Sequence, residues 1–317
     1  MMLVMHRTPV TILLAAAALA LPAGASAADT PVVSDPAAQQ LTALDGTIVW
    51  VSGAFGRQKL MQRTPDGVAA PVRGTREARS YRSIDLGHDP DGALRLTYLR
   101  CDAGRPCQAL WNDLDGRRAT FRGLEPTGCS LTTAPAWWRQ RLAYGLACVR
   151  GGKADSRRSG LYVKTRGRPA RRLPLPKDAV RFGADEITAV DLRGTRVAAI
   201  AADVYAYAFS QTVGGRAMWS QLAAASEGDG DARARGLALG SGGAQWTLTD
   251  AEHAGDPKET LIFRQLGGCL RSERIATPES GDFAATSLAV DGATVYLLVP
   301  GTGIVRHEFD PAATPAC

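Results

Sequence analysis

A two-residue turn followed by a short apolar strand recurs six times along this chain. Asp45-Gly46 precedes TIVWVS, Asp91-Gly92 precedes ALRLTYL, and Arg139-Gln140 precedes RLAYGLA. Arg193-Gly194 precedes TRVAAIA, Gly242-Gly243 precedes AQWTLT, and Asp291-Gly292 precedes ATVYLLV. The second turn residues fall at 46, 92, 140, 194, 243 and 292, with spacings of 46, 48, 54, 49 and 49. A short strand leads into each turn: LTAL, SIDL, SLTTA, ITAVDL, GLAL and TSLAV. A third strand with an apolar pair follows, such as Leu60-Met61, Leu110-Trp111 or Ile304-Val305. Most units then add a more polar fourth strand, such as RRATFRG or PARRLPL.

Four short strands in a unit of roughly 40–50 residues describe a propeller blade. One such sheet cannot cover both of its faces, so the units must stack on one another. Val, Ile, Tyr and Trp at alternating positions suit those half-buried pleated surfaces. The expected fold is therefore all-β, a six-bladed β-propeller of four-stranded antiparallel blades. The sixth unit lacks a clear fourth strand, and Thr30-Pro31-Val32-Val33-Ser34 ahead of the first unit would supply it, closing the ring. Closure of this kind removes exposed sheet edges. A seven-bladed or irregular propeller, a β-sandwich and two smaller all-β domains are the alternatives. Helical periodicity is absent after the N-terminus, apart from a short Ala-rich stretch near Ala223.

Residues 1–27 read as a signal peptide, leaving residues 28–317 as one domain. His6 and Arg7 start it, an apolar run extends from Val10 to Leu21, and Ala25-Ser26-Ala27 offers the small residues of a cleavage site. The apolar run is too short to cross about 30 Å of hydrocarbon as a helix. Export to a secreted or extracytoplasmic location follows. Six cysteines in an exported chain favour disulfides, and no Cys-x-x-Cys spacing points to zinc. The blade layout pairs them. Cys101 ends a second strand and Cys107 begins the next; Cys129 and Cys148 face each other across a hairpin. Cys269 and Cys317 remain.

The segment Ile84-Asp85-Leu86-Gly87-His88-Asp89-Pro90-Asp91-Gly92 resembles the start of the second blade in secreted TolB-like and WD-repeat-like propeller proteins of actinobacteria. Tyr98-Leu99-Arg100-Cys101 and Cys107-Gln108-Ala109-Leu110-Trp111 resemble their disulfide-linked hairpin. The likeness spans most of the chain after the signal peptide. It implies fold and export but no activity, and the third repeat here is shorter than is common in those proteins.

Charge is the distinctive local signal. Net charge is +6, and 32 of the 37 basic residues are Arg. Arg150 to Arg181 holds 11 basic residues against Asp155 and Asp178. Arg157, Arg158, Lys164, Arg166, Arg168, Arg171 and Arg172 fall on one hairpin and its outer strand. Such a patch attracts polyanions, and for an exported chain an anionic cell-envelope polymer fits better than nucleic acid. The plainer reading is a solvated Arg-rich edge. Asp85, Asp89 and Asp91 carry hard oxygens suited to Ca2+, the one cofactor considered, although Asp-Pro-Asp-Gly is also a turn sequence. The loop Glu227-Gly228-Asp229-Gly230-Asp231 reads in the same two ways. His88, His253 and His307 form no metal motif and read as surface or turn residues, and no Gly-x-Ser-x-Gly elbow is present. Of six tryptophans, Trp137-Trp138 alone falls at a turn, where it packs or stacks on a sugar or base; the others read as core.

The expected function is a noncatalytic, monomeric binding or scaffolding propeller whose partner is a protein or an anionic envelope polymer. The alternative is a propeller hydrolase, lactonase-like or glycan-cleaving, with a cation in its central channel. A purely structural envelope role is the third.

Overall fold

The computed structural model describes residues 29–177, 186–202, 206–214, 220–224, 233–251, 259–266, 269–275 and 284–309. Strand β1 (Thr30–Ser34) comes first. Strands β2 (Ala38–Leu44), β3 (Thr47–Ser52), β4 (Lys59–Arg63) and β5 (Ala69–Pro71) follow as an antiparallel meander. The second repeat gives β6 (Ser80–His88), β7 (Leu94–Cys101), β8 (Gln108–Asn112) and β9 (Arg118–Thr120). The third gives β10 (Cys129–Leu131), β11 (Ala136–Trp138), β12 (Arg141–Arg150), β13 (Lys153–Ala154), β14 (Gly160–Thr165) and β15 (Arg171–Arg172). The fourth gives β16 (Glu186–Arg193), β17 (Arg196–Ala202), β18 (Ala206–Thr212) and β19 (Ser220–Ala224). The fifth gives β20 (Arg233–Leu239), β21 (Gln245–Ala251), β22 (Glu259–Leu266) and β23 (Cys269–Ile275). The last gives β24 (Ser287–Asp291), β25 (Thr294–Val299) and β26 (Gly303–His307), and β1 pairs antiparallel with β26. The Ala-rich stretch near Ala223 is strand β19, not helix.

The fold is all-β and propeller-like. Four sheets are four-stranded; the second and third repeats share one ten-stranded sheet. The physical cause of that fusion is local. Pro135 has no N–H to give a ladder, so the inner strand of the third repeat splits into β10 and β11, which both pair with β12. The β11 end then pairs parallel with β6 through Trp138 and His88, and the Arg139 N–H donates to the His88 carbonyl at 2.6 Å. Gly87 permits the approach: a Cβ there would lie 1.8 Å from the Trp137 carbonyl oxygen.

Second strands are buried nearly throughout, because a neighbouring sheet covers each face. In β3, Ile48, Val49, Trp50 and Val51 are all at most 1% exposed. Outer strands such as β9 and β15 are open to solvent. Apolar clusters join each sheet to the next. Val51 and Leu60 pack with Tyr81 and Leu96; Leu161 and Val163 with Ile187 and Phe209; Trp246 and Leu248 with Leu288 and Leu297. Val33, Ile48 and Trp50 pack with Leu298 and Ile304, joining the last sheet to the first. Each large side chain so buried contributes about 1.5–3 kcal/mol. Trp50 hides its polar atom too, donating from Nε1 to Asp35 at 2.7 Å.

Cys101–Cys107 and Cys129–Cys148 are disulfides, the latter across a β10–β12 register pair. Cys269 is also disulfide-bonded, and its expected partner Cys317 lies outside the described residues. So do residues 1–27, which the sequence reads as a signal peptide, His253 and the loop 227–231. Among the described residues, no helix is long and apolar enough to cross a membrane.

Candidate functional site

The innermost strands β2, β6, β16 and β20 each carry a register shift near their starts. Such bulges re-aim side chains. In β6 the shift lies between Arg82 and Asp85, with Ser83 at φ 50°. Asp85 lines a cavity of about 480 Å³ that these strands enclose with β24. Asp191 and Arg193, two apart on β16, line the same cavity. Burial, and then the neighbouring Asp191, push the Asp85 carboxyl well above the usual carboxylate range, with Arg193 opposing. Burial also raises Asp191, against the pull of Arg193. The pair therefore holds on to a proton that separate carboxylates would release. The Asp191 carboxylate accepts the Leu239 N–H at 2.6 Å, and Arg193 donates to the carbonyls of Ala43 (3.2 Å) and Val290 (2.9 Å). Four strands are tied through these two residues.

Arg193 also lines a neighbouring cavity formed by four of the repeat turns, at Asp45, Gly194, Ser241–Gly243 and Asp291-Gly292. Asp291 accepts the N–H groups of Asp45 (3.0 Å) and Gly46 (2.6 Å), and Asp45 faces His88 Nε2 at 2.7 Å. The other His88 nitrogen is buried without a partner, and its ring lies edge-on to Trp138. His307 is 6% exposed, with Nδ1 on Asp29 (2.7 Å) and Nε2 on Glu273 (3.2 Å). The sequence reads both as surface or turn residues; His88 does stand just before the Asp89–Gly92 turn, while His307 is buried, and both hold strands from different repeats together.

Asp85, Asp89 and Asp91 do not converge. Asp85 lines the channel. Asp89 spends its carboxylate on the turn, accepting the N–H groups of Asp91 (3.0 Å) and Ala93 (2.9 Å) and pairing with Arg95 at 2.7 Å. Among the described residues no three His, Cys, Asp or Glu side chains group to hold a metal.

The seven basic residues do share the third-repeat edge. Arg157, Arg166, Arg168, Arg171 and Arg172 are exposed; Arg158 and Lys164 are half-buried. Arg172 donates to the Ser156 and Arg157 carbonyls, Arg158 to that of Thr127, and Lys164 to that of Gly123. Among the described residues none of the seven has an acidic partner within 4.0 Å. Their charge is anchored by neutral groups and left uncancelled.

Beside this edge lies a cleft of about 490 Å³ between the turns Asp89–Gly92 and Arg139–Gln140. Trp111 and Trp137 line it, 6.2 Å apart and edge to face. Trp111 reads as core in the sequence, yet it is half-exposed here, and Trp137 lines the same cleft. Arg95 and Arg117 lie over the Trp111 ring, and Lys164 and Arg166 arrive from β14 and the turn after it. Sequence reading missed Arg95 and Arg117 of the second repeat and Arg139 of the third, which the fold brings together. Asp191 and Arg193 carried a legible sign: two charged residues at i and i+2 on an innermost strand.

No protein-family model matches the sequence, and no curated protein matches it in sequence. Solved structures resemble it in fold. A glucose dehydrogenase shares 12% identity at a TM-score of 0.52, with 89% of this chain and all of that one covered. TolB from Acinetobacter baumannii shares 13% at 0.49; the match covers 78% of this chain and 55% of TolB. The Aleuria aurantia lectin, in complex with alpha-methyl-L-fucoside, shares 12% at 0.47, covering 90% and 99%.

Proposed function

We propose that this chain is an exported, noncatalytic six-bladed propeller that binds an anionic cell-envelope polymer along the edge of its third blade. The ten-stranded sheet counts as two blades joined at β6 and β11, and β1 closes the ring against β26. The apolar clusters between successive sheets support that count. The observation that carries the binding reading is the uncancelled charge of Arg157, Arg166, Arg168, Arg171 and their neighbours. Exposed like charges repel, so a compensating anion is favoured there. An Arg157→Ser/Arg168→Ser/Arg171→Ser variant removes charge without touching the residues that anchor loops. It should elute from an immobilised anionic wall polymer at clearly lower salt than wild type. Equal retention would refute the reading. Disulfides fit an oxidising compartment, and N-terminal sequencing of the secreted protein should begin at Ala28.

A second reading rests on the channel. Paired carboxyls, one holding a proton, are an acid–base arrangement used in glycoside cleavage. Turnover of a glycan or lactone that is lost in Asp85→Asn with the fold intact would favour it over pure binding.

A further inference from the structure

We infer that the cleft between the second and third repeats is a binding site for an acidic saccharide unit. This rests on the polyanion reading and narrows it: the edge gathers the polymer, and the cleft reads a sugar carrying a carboxylate.

Three features of the cleft point to that chemistry together. Its volume of about 490 Å³ lies within the range of small-molecule sites. Two half-exposed indole rings form part of its wall, and such rings cover the apolar face of a pyranose. Cations outnumber carboxylates. Arg95, Arg117, Arg139, Lys164 and Arg166 stand against Asp89 and Asp91, and Asp89 is already paired with Arg95.

The guanidinium groups are pre-positioned. Arg95 is held by Asp89 and lies 5.3 Å above the Trp111 ring; Arg117 lies 5.9 Å from the same ring. Arg139 occupies a left-handed turn position at φ 55°, and the absence of a Cβ on Gly92 lets its guanidinium lie across the facing turn. Side chains fixed in this way lose little freedom on binding and grip a carboxylate through paired N–H groups. Asp91 and Gln140 add acceptors for sugar hydroxyls. Neither a bare inorganic anion nor a polyphosphate backbone has any use for the indoles. A carboxylated pyranose uses all three kinds of group.

The test uses the full secreted chain with trigalacturonic acid as the probe and its neutral methyl ester as control, by calorimetry and tryptophan fluorescence. The acid should bind and the ester bind at least tenfold more weakly. Arg166→Gln should weaken the acid roughly tenfold, the scale of one lost charge-assisted hydrogen bond. Trp137→Ala should abolish binding; should that variant fail to fold, Trp137→Phe retains it partly. Arg157→Ser/Arg168→Ser/Arg171→Ser should bind the trimer as wild type does while losing retention on the polymer. No binding of the acid, equal binding of the ester, or unchanged affinity in Arg166→Gln overturns the inference. If the wild type is retained on the polymer while the trimer fails to bind, the cleft is wrong and the edge stands. If the trimer binds and the polymer does not, the edge is wrong.

Discussion

Replacing Arg193 by Met should destabilise the protein more than any single change at the basic edge. Arg193 reaches across the channel, donating to the backbone carbonyls of Ala43 on β2 and Val290 on β24 at 3.2 and 2.9 Å. Methionine fills similar space but donates nothing. Each hydrogen bond from a charged donor contributes about 1.5–3 kcal/mol. Its loss also removes the cation whose field opposes the upward shift of the Asp85 and Asp191 carboxyls. The two bonds overlap in their effect, and channel water offsets part of them, so about 3–5 kcal/mol is the expected total. In a domain this large the melting temperature moves about 2 °C per kcal/mol, giving a fall of roughly 6–10 °C at neutral pH. Differential scanning calorimetry measures it. Adding Asp85→Asn should restore part of the loss, because the neutral amide keeps the shape without having to take up a proton at neutral pH. A fall smaller than that of a typical surface substitution, or no recovery in the double variant, would refute the role assigned to Arg193.

Burial raises the Asp250 carboxyl to about 6, against the pull of Arg235. A raised acid binds its proton more tightly folded than unfolded, so the contribution of Asp250 to stability should fall as pH rises from about 4 through 6. Asp250→Asn should flatten that slope in a melting series across this window; an unchanged slope counts against it. The Cys129–Cys148 bridge spans a sequence separation of 19. A double Ser variant should lose about 3 kcal/mol in denaturant unfolding. Gly87→Ala places a methyl group against the Trp137 carbonyl, a backbone atom that cannot step aside. It should cost about 3 kcal/mol by the same assay, the upper end for overpacking, and wild-type stability in that variant would show that β6 and β11 are not in close contact.

The repeat was legible because turn chemistry and strand period are local. Asp-Gly and Gly-Gly pairs announce the turns, and TIVWVS or TVYLLV announce strands covered on both faces. The Cys129–Cys148 pairing followed from the same register. The sites were less legible, for a physical reason. Asp85 looked like one member of an Asp loop, but the bulge at Ser83 turns it into the channel while Asp89 caps its own turn. His307 looked solitary, yet it sits between Asp29 and Glu273, 278 and 34 residues away. Trp111 carried the strand pattern of a core residue, but outer blade positions are covered on one side alone. Contacts between repeats set these outcomes, and periodicity within a repeat carries no information about them.

The pairing of β1 with β26 has a consequence in time as well as in space. A chain made from its N-terminus delivers Thr30–Ser34 long before Gly303–His307, the strand it pairs with. Until β26 emerges, β1 lacks its partner strand, and the incomplete chain carries raw edges able to join a passing copy. Quality control for such a protein would therefore act late, on the latch and not on the leaves.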